Sequence, residues 1–242
     1  MIRIAGETKI INNSLLIDVK HLRKAQLDEI NKNDFIEVVK EGVDYWYEKL
    51  LELINLITDI NCKTIINSFL SDQNFVELFK NCPAGVSHHH NYIGGLLEHT
   101  VNTMSQLFNK AKLYEKDYDK DILLTGAFLH DIGKVRELKI DINIYYSEEG
   151  RYLGHIPLGI MMLNEKLSLL NCFPKSLALH LQHIILSHHS KLEYGSVIEP
   201  KTPEAIAISV IEGSDAKING FLMKNKQKTY EINSGFNNIS HN

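Results

Sequence analysis

His130 and Asp131 stand side by side at the end of the most apolar stretch of this 242-residue chain, after Ile122, Leu123, Leu124, Ala127, Phe128 and Leu129. Burying an imidazole and a carboxylate there costs on the order of several kcal/mol unless a partner compensates. Taken alone, the pair is equally well read as a local cap and a satisfied core histidine. His99 and Asp215 change that balance. Each is polar within apolar helical spacing, His99 one turn past Gly94-Gly95 and Asp215 among Ile206, Ile208, Val210 and Ile211. Three such helices meeting in a bundle core would build a mixed site of two imidazoles and two carboxylates. That donor set suits six-coordinate Mn²⁺ first, then Fe²⁺, Co²⁺, Mg²⁺ or Ni²⁺, over a closed structural zinc site. His155, His188 and His189 stand where a second ion could be held, with Asp131 lending one oxygen to each. Two cations about 3.5–4 Å apart would activate a water and clamp a phosphoryl group. The alternative leaves His155 as a helix cap and one of His188 and His189 at solvent. Lys134, one turn past the pair, could meet a phosphate oxygen or merely compensate a helix dipole. Arg136 is a second cation of that kind.

The elements that must position these groups follow from periodicity. Ile2 and Ile4, then Leu15, Ile17 and Val19, alternate with polar neighbours around the turn signal Asn12-Asn13, which predicts a β-hairpin. A charged linker, His21 to Lys32, follows. From Asp34, a plausible N-cap, the period becomes helical through Phe35, Val38, Val39, Val43, Trp46, Leu50 and on to Ile57. Further helices are predicted at Thr64–Leu70, from Ser71 or Asp72 to Asn81, and at His90–Leu113, Lys120–Asp131, His155–Leu170, Pro174–His188 and Pro203–Ile218. Residues 138–153 alternate and read as extended. The sequence thus predicts an all-α helical bundle preceded by a short N-terminal β-hairpin. Its parts are a hairpin and linker at 1–30, a helical domain at 31–223 and a flexible polar tail at 224–242.

Bulk properties narrow the function. A net charge of −4 argues against a broad basic face for nucleic acid. The three cysteines are far apart and form no CxxC pair, which points to reduced thiols in a cytoplasm. No run approaches the roughly 20 apolar residues of a membrane span, and no secretion signal is visible.

The order His99, His130-Asp131, Asp215 resembles the signature of HD-superfamily phosphohydrolases, and His155 with His188-His189 resembles their binuclear members. The strings His89–Thr100, Leu129–Leu138, Glu149–His155 and Ile185–Ala205 are similar to the catalytic domain of YhaM-type 3′-to-5′ exoribonucleases. This resemblance covers roughly residues 35–220. It implies a metal-dependent phosphodiesterase that releases 5′-nucleotides from single-stranded RNA or a short oligonucleotide by attack of a metal-activated hydroxide. Residues 1–30 look like the last strands of that family's OB barrel. Ser190 and Val197 stand where the family suggests glycine and proline. Asp131 and Lys134 would be catalytic. Lys134, Arg136, Arg151 and Lys191, with His90 and Tyr194, would hold substrate, and the proton donor is open among His90, His183 and water. An HD phosphohydrolase of a cyclic dinucleotide, a dinucleoside polyphosphate or a free nucleotide is the second reading. A non-catalytic nucleic-acid-binding or ligand-sensing module is the third. The hairpin's open edges invite a homo-oligomer.

Overall fold

The alternating residues at the start of the chain form an antiparallel pair, β1 (Ile2–Ile11) and β2 (Ser14–Lys24). This is seen in a computed structural model that describes residues 2–11, 14–29, 35–86, 90–112 and 118–233. The Asn12-Asn13 turn, the predicted N-cap Asp34, and His88 and His89 lie outside the described residues. β2 takes in His21–Lys24, the first residues of the predicted linker, and a bulge opposite Ala5 and Gly6 keeps the two strands in phase.

Helix α1 (Val43–Asn55) starts well after Asp34. Gly42, at φ 88°, breaks the chain ahead of it. Val38 and Val39 instead form a parallel bridge with Ile93, Val39 N donating to the Ile93 carbonyl at 2.9 Å. A short apolar run fits an extended segment and a helix alike, and periodicity cannot separate them. Asp59 and Asp72 cap α2 (Ile60–Leu70) and α3 (Gln73–Asn81), accepting from Cys62 N and Phe75 N. Helix α4 (Gly95–Ala111) begins five residues later than predicted, because His90 at φ 50° and Gly94 at φ 84° shape a loop there.

Helix α5 (Lys120–Leu129) is capped by Asp119 and buried on nearly every side, packing on α2, α4 and two later helices, α9 (Lys175–Ser187) and α10 (Pro203–Asn233). Phe128 on α5 meets Phe69 and Phe79 in the core, all three fully buried. After it come α6 (Lys134–Glu137) and the small antiparallel pair β3 (Leu138–Ile140) and β4 (Ile144–Tyr146). The predicted extended stretch ends there, since Ser147 caps α7 (Glu148–Leu153) by accepting from Gly150 N. Helix α8 is His155–Ser168. Helix α10 continues beyond Ile218 to Asn233 and includes residues 224–233, which polarity alone assigned to a loose tail.

One glycine sets how closely two of these elements approach. At Gly133, between α5 and α6, a Cβ would stand 1.9 Å from the His155 carbonyl oxygen and 2.5 Å from Gly159 N. Both are backbone atoms at the start of α8, so neither can swing aside. Gly133→Ala is expected to cost about 1–3 kcal/mol, as overpacking does, and to move His155 away from Asp131. Urea unfolding with and without Mn²⁺ checks both effects. An unchanged midpoint, or an unchanged gain from the ion, would refute the close-approach account.

Candidate metal centre

Helices α4, α5, α8 and α9 bring five of the predicted histidines around one carboxylate. Asp131, just past the end of α5, is 1% exposed. Its Oδ2 faces the Nε2 atoms of His130 at 3.4 Å and His99 at 3.6 Å. Its Oδ1 faces the Nε2 atoms of His188 at 3.4 Å and His155 at 3.5 Å. His189 stacks edge-on against His188, ring centroids 4.2 Å apart, and joins His155 and His188 in a second cluster. Two groups able to hold an ion therefore flank Asp131: His99 with His130 and Asp131, and His155 with His188 and His189.

The imidazoles are aimed from behind. Nδ1 of His130 donates to the Ala127 carbonyl at 2.6 Å, that of His188 to the Ile185 carbonyl at 2.8 Å, and that of His189 to the Tyr194 carbonyl at 3.1 Å. Nδ1 of His99 meets Asp215 Oδ2 at 2.8 Å, and that of His155 lies 3.4 Å from Glu137 Oε1. An acceptor on Nδ1 fixes the proton there and turns the Nε2 lone pair inward, the arrangement of histidines that ligate metal. Helix geometry supplies the first two acceptors, since a carbonyl three residues back lies within reach of a histidine at a helix end.

The electrostatics of the bare cage call for a cation. Burial pushes His99 down to about 4, His188 to about 3 and His189 to about 4, so these rings are neutral at pH 7, the form that ligates. Burial lowers His130 as well, but the Asp131 charge outweighs it and leaves His130 raised. Burial opposes ionisation of Asp131, yet Lys134 and His130 hold its carboxyl well below the usual range. Nε2 of His99 and Nε2 of His130 lie 3.2 Å apart, a contact of two nitrogens that only a shared proton or cation makes favourable. Asp131 Oδ1, His155 Nε2 and His188 Nε2 are buried with no hydrogen-bond partner among the described residues. Orphaned acceptors of this kind are rare in native proteins, and here they converge on one point, so the donor set fits a divalent ion of mixed N/O preference.

Other predicted residues fall elsewhere. Asp215 joins His90 and His99 in a third group able to hold an ion. Its Oδ2 lies on the opposite side of the His99 ring and also meets His90 Nε2 at 3.0 Å. Burial raises Asp215, but its bonds to His90 and His99 outweigh that and lower it. His90, expected at the substrate, is 1% exposed and tied to Asp215, to Tyr92 at 2.7 Å and to Glu98 at 3.3 Å. It supports the cage from behind rather than lining an open face. Lys134 is also buried, its Nζ 2.6 Å from Asp131 Oδ2. Arg136 is held by Glu149 at 2.9 Å and Glu165 at 3.0 Å. Arg151, Lys191 and Tyr194 are exposed, with the Lys191 Nζ 5.9 Å from the Tyr194 ring centre. His183 accepts from Lys201 N at 2.9 Å, away from the cage.

One acidic residue escaped the sequence reading. Glu212, a turn before Asp215 on α10, is 8% exposed, and burial together with the Asp131 charge raises it to about 7. His130, Lys134 and His155 act on it in the opposite direction. The signal was present: Ile208, Glu212 and Asp215 follow one helical stripe, with Ile208 fully buried, whereas Ile206 and Val210 face outward.

The HD domain family matches residues 96–217 of the chain. The chain is 30% identical over 220 residues to the 3′-5′ exoribonuclease YhaM of Geobacillus sp. (strain WCH70), an alignment spanning 90% of this chain and 67% of that protein. No solved structure is significantly similar.

Divalent metal should therefore stabilise the fold. At a hundredfold excess over its dissociation constant an ion adds about 2.7 kcal/mol per site. Mn²⁺ is expected to raise the melting temperature, and EDTA to reverse the rise. Asp131→Asn should lose at least one ion by elemental analysis while keeping its helical circular dichroism. Full metal content in that variant would remove Asp131 from the centre.

Proposed function

The chain belongs to the HD domain family and is a metal-dependent phosphohydrolase, and on that basis we propose that it trims single-stranded RNA or short oligonucleotides from the 3′ end, releasing 5′-nucleotides. The observation that carries this reading is Asp131, whose two oxygens each face a separate imidazole cluster. The RNA substrate and the direction of attack are taken from the activity named for the Geobacillus relative.

In this reading His99, His130 and Asp131 hold one cation, and His155, His188, His189 and Asp131 hold the other, Mn²⁺ being the preferred ion. When bound, the pair supplies Lewis acidity that lowers the pKa of water and neutralises charge growing on the phosphoryl oxygens. The chain's own groups do the rest. Lys134 balances the buried Asp131 charge and is the cation assigned to a phosphate oxygen. Of the two carboxylates on α10, Glu212 lies in the field of Asp131, His130, Lys134 and His155 and is assigned to the ion's shell. Asp215 is assigned to positioning, since it takes the Nδ1 proton of His99. Tyr194 presents an exposed ring on which the terminal base can stack, beside Lys191. No helix of the described residues is long and apolar enough to cross a membrane, and the cytoplasm is the proposed compartment.

The two α10 carboxylates are separable by experiment. Glu212→Gln should lower metal stoichiometry. Asp215→Asn should keep it while weakening affinity by roughly 10–100-fold, the usual effect of removing a carboxylate that orients a ligating histidine. Titration calorimetry with Mn²⁺ reads both, and the reverse pattern would exchange the two roles.

Substrate length gives a second test. With Arg136 engaged by two carboxylates, the exposed charge named at the rim is small. Catalytic efficiency on single-stranded RNA should rise little beyond a handful of nucleotides, and cleavage should be distributive. Early time points from a length series in Mn²⁺ decide this. Processive decay without intermediates would contradict the length prediction, and no metal-dependent release of 5′-nucleotides, compared with His130→Ala, would contradict the reaction.

A further inference from the structure

The two strands at the start of the chain divide their residues between two unlike faces. By the pairing register, Ile2, Ile4 and Ile10 of β1 lie on the same side as Leu15, Ile17 and Leu22 of β2. The opposite side carries Arg3, Glu7 and Lys9 with Asp18, His21 and Arg23, and its apolar residues are confined to Ile11 and Leu16 near the turn and Ala5. That polar side is internally neutralised. Asp18 takes Lys9 at 2.7 Å and Lys20 at 2.8 Å, and Glu29 takes both Arg3 and Arg23.

The apolar side is bare. Its six large residues are between 49% and 75% exposed. A two-stranded sheet is at best marginal in water unless its apolar face is covered. Six half-exposed aliphatic chains amount to an apolar patch on the order of 500 Å², the size that on a monomer usually marks a contact surface.

We infer that this face docks on the same face of a second copy of the chain, forming a two-fold dimer. An isologous contact needs only self-complementarity, and a face whose aliphatic residues run from Ile2 and Ile4 to Ile10, broken by Gly6 and Thr8 and bordered by Lys24, meets that condition. Packed together, two such faces would bury on the order of 1,000 Å², the threshold for a specific interface. The spacing of about 10 Å between packed sheets accommodates aliphatic chains from both sides. A nucleic acid is the poorer occupant, because Arg3, Lys9, Lys20 and Arg23 are already paired with Asp18 and Glu29, which leaves Lys24 at one end of the apolar side.

Sedimentation of the full chain from on the order of 1 to 100 µM, a range that brackets micromolar self-association, tests the inference. The expected species at high concentration has twice the 27.7 kDa of one chain. Ile4→Lys and Ile17→Lys should each give monomer, with the thermal transition of the helical domain unchanged, since both side chains are exposed in the single copy. Ile17→Thr keeps a β-branched strand residue and should raise the dimer dissociation constant at least roughly tenfold. Lys9→Ala, on the polar side, should leave the dimer intact. A monomer throughout overturns the inference, as does a dimer that survives both lysine variants. A monomer whose affinity for single-stranded RNA falls in Ile4→Lys also overturns it and gives the face to nucleic acid.

Discussion

The carboxylate of Asp131, buried among four imidazoles and an ammonium, is the constraint that the rest of this molecule satisfies. An isolated charge in such a place would cost several kcal/mol or more, so it persists only with compensation. Lys134 provides part of it at 2.6 Å, from one turn further along the chain. His130 adds to it, but His99 and His188 do not, because burial keeps them neutral. The remaining demand, two opposed lone pairs and a set of orphaned acceptors, is one that divalent cations meet. Metal binding and stability are thus coupled at this candidate centre: the proposed ligands are the groups that leave the bare fold incompletely compensated.

Satisfying that demand dictates much of the packing around it. Helix α5 is apolar on nearly every side because it must carry His130 and Asp131 into the middle of the bundle. The ends of α5 and α9 double as orienting devices, their own carbonyls three residues back holding His130 and His188. Gly133 is required where the backbone leaving Asp131 passes the first residue of α8, and it sets the distance of His155 from the carboxylate. Behind His99 a polar chain runs through Asp215, His90, Tyr92 and Glu98, ending in a 2.5 Å bond from the Tyr92 hydroxyl to Glu98. Such a chain holds a ring in one orientation more firmly than any single bond.

Membership of the HD domain family places this centre among metal-dependent phosphohydrolases, and the chain's own residues add detail. The left-handed backbone at Ser190, φ 70°, gives a physical reason for expecting glycine beside His189. Arg136, in contrast, serves the structure by joining α6 to Glu149 and Glu165.

The sequence by itself determined the class of fold and marked the groups that could hold metal. Apolar periods marked the helices, Ser71 or Asp72 marked the start of α3, and alternation marked the hairpin. Polar residues in apolar helices singled out His99, His130, Asp131 and Asp215 as a set, because burying all four without a partner is costly, whereas His130 and Asp131 alone read equally well as a cap and a core histidine. Only the tertiary structure decided which side of a residue matters. Asp215 and Glu212 lie one turn apart on the same helix, and no spacing rule says which faces the cage and which faces the far nitrogen of His99. His90 and Lys134 looked like solvent-side groups until packing buried them. The start of α1 failed for a related reason, since Val38 and Val39 obey a helical period yet pair with Ile93, and that partner lies more than fifty residues away. Periodicity reports that a residue is buried; what it meets there depends on elements distant in the chain.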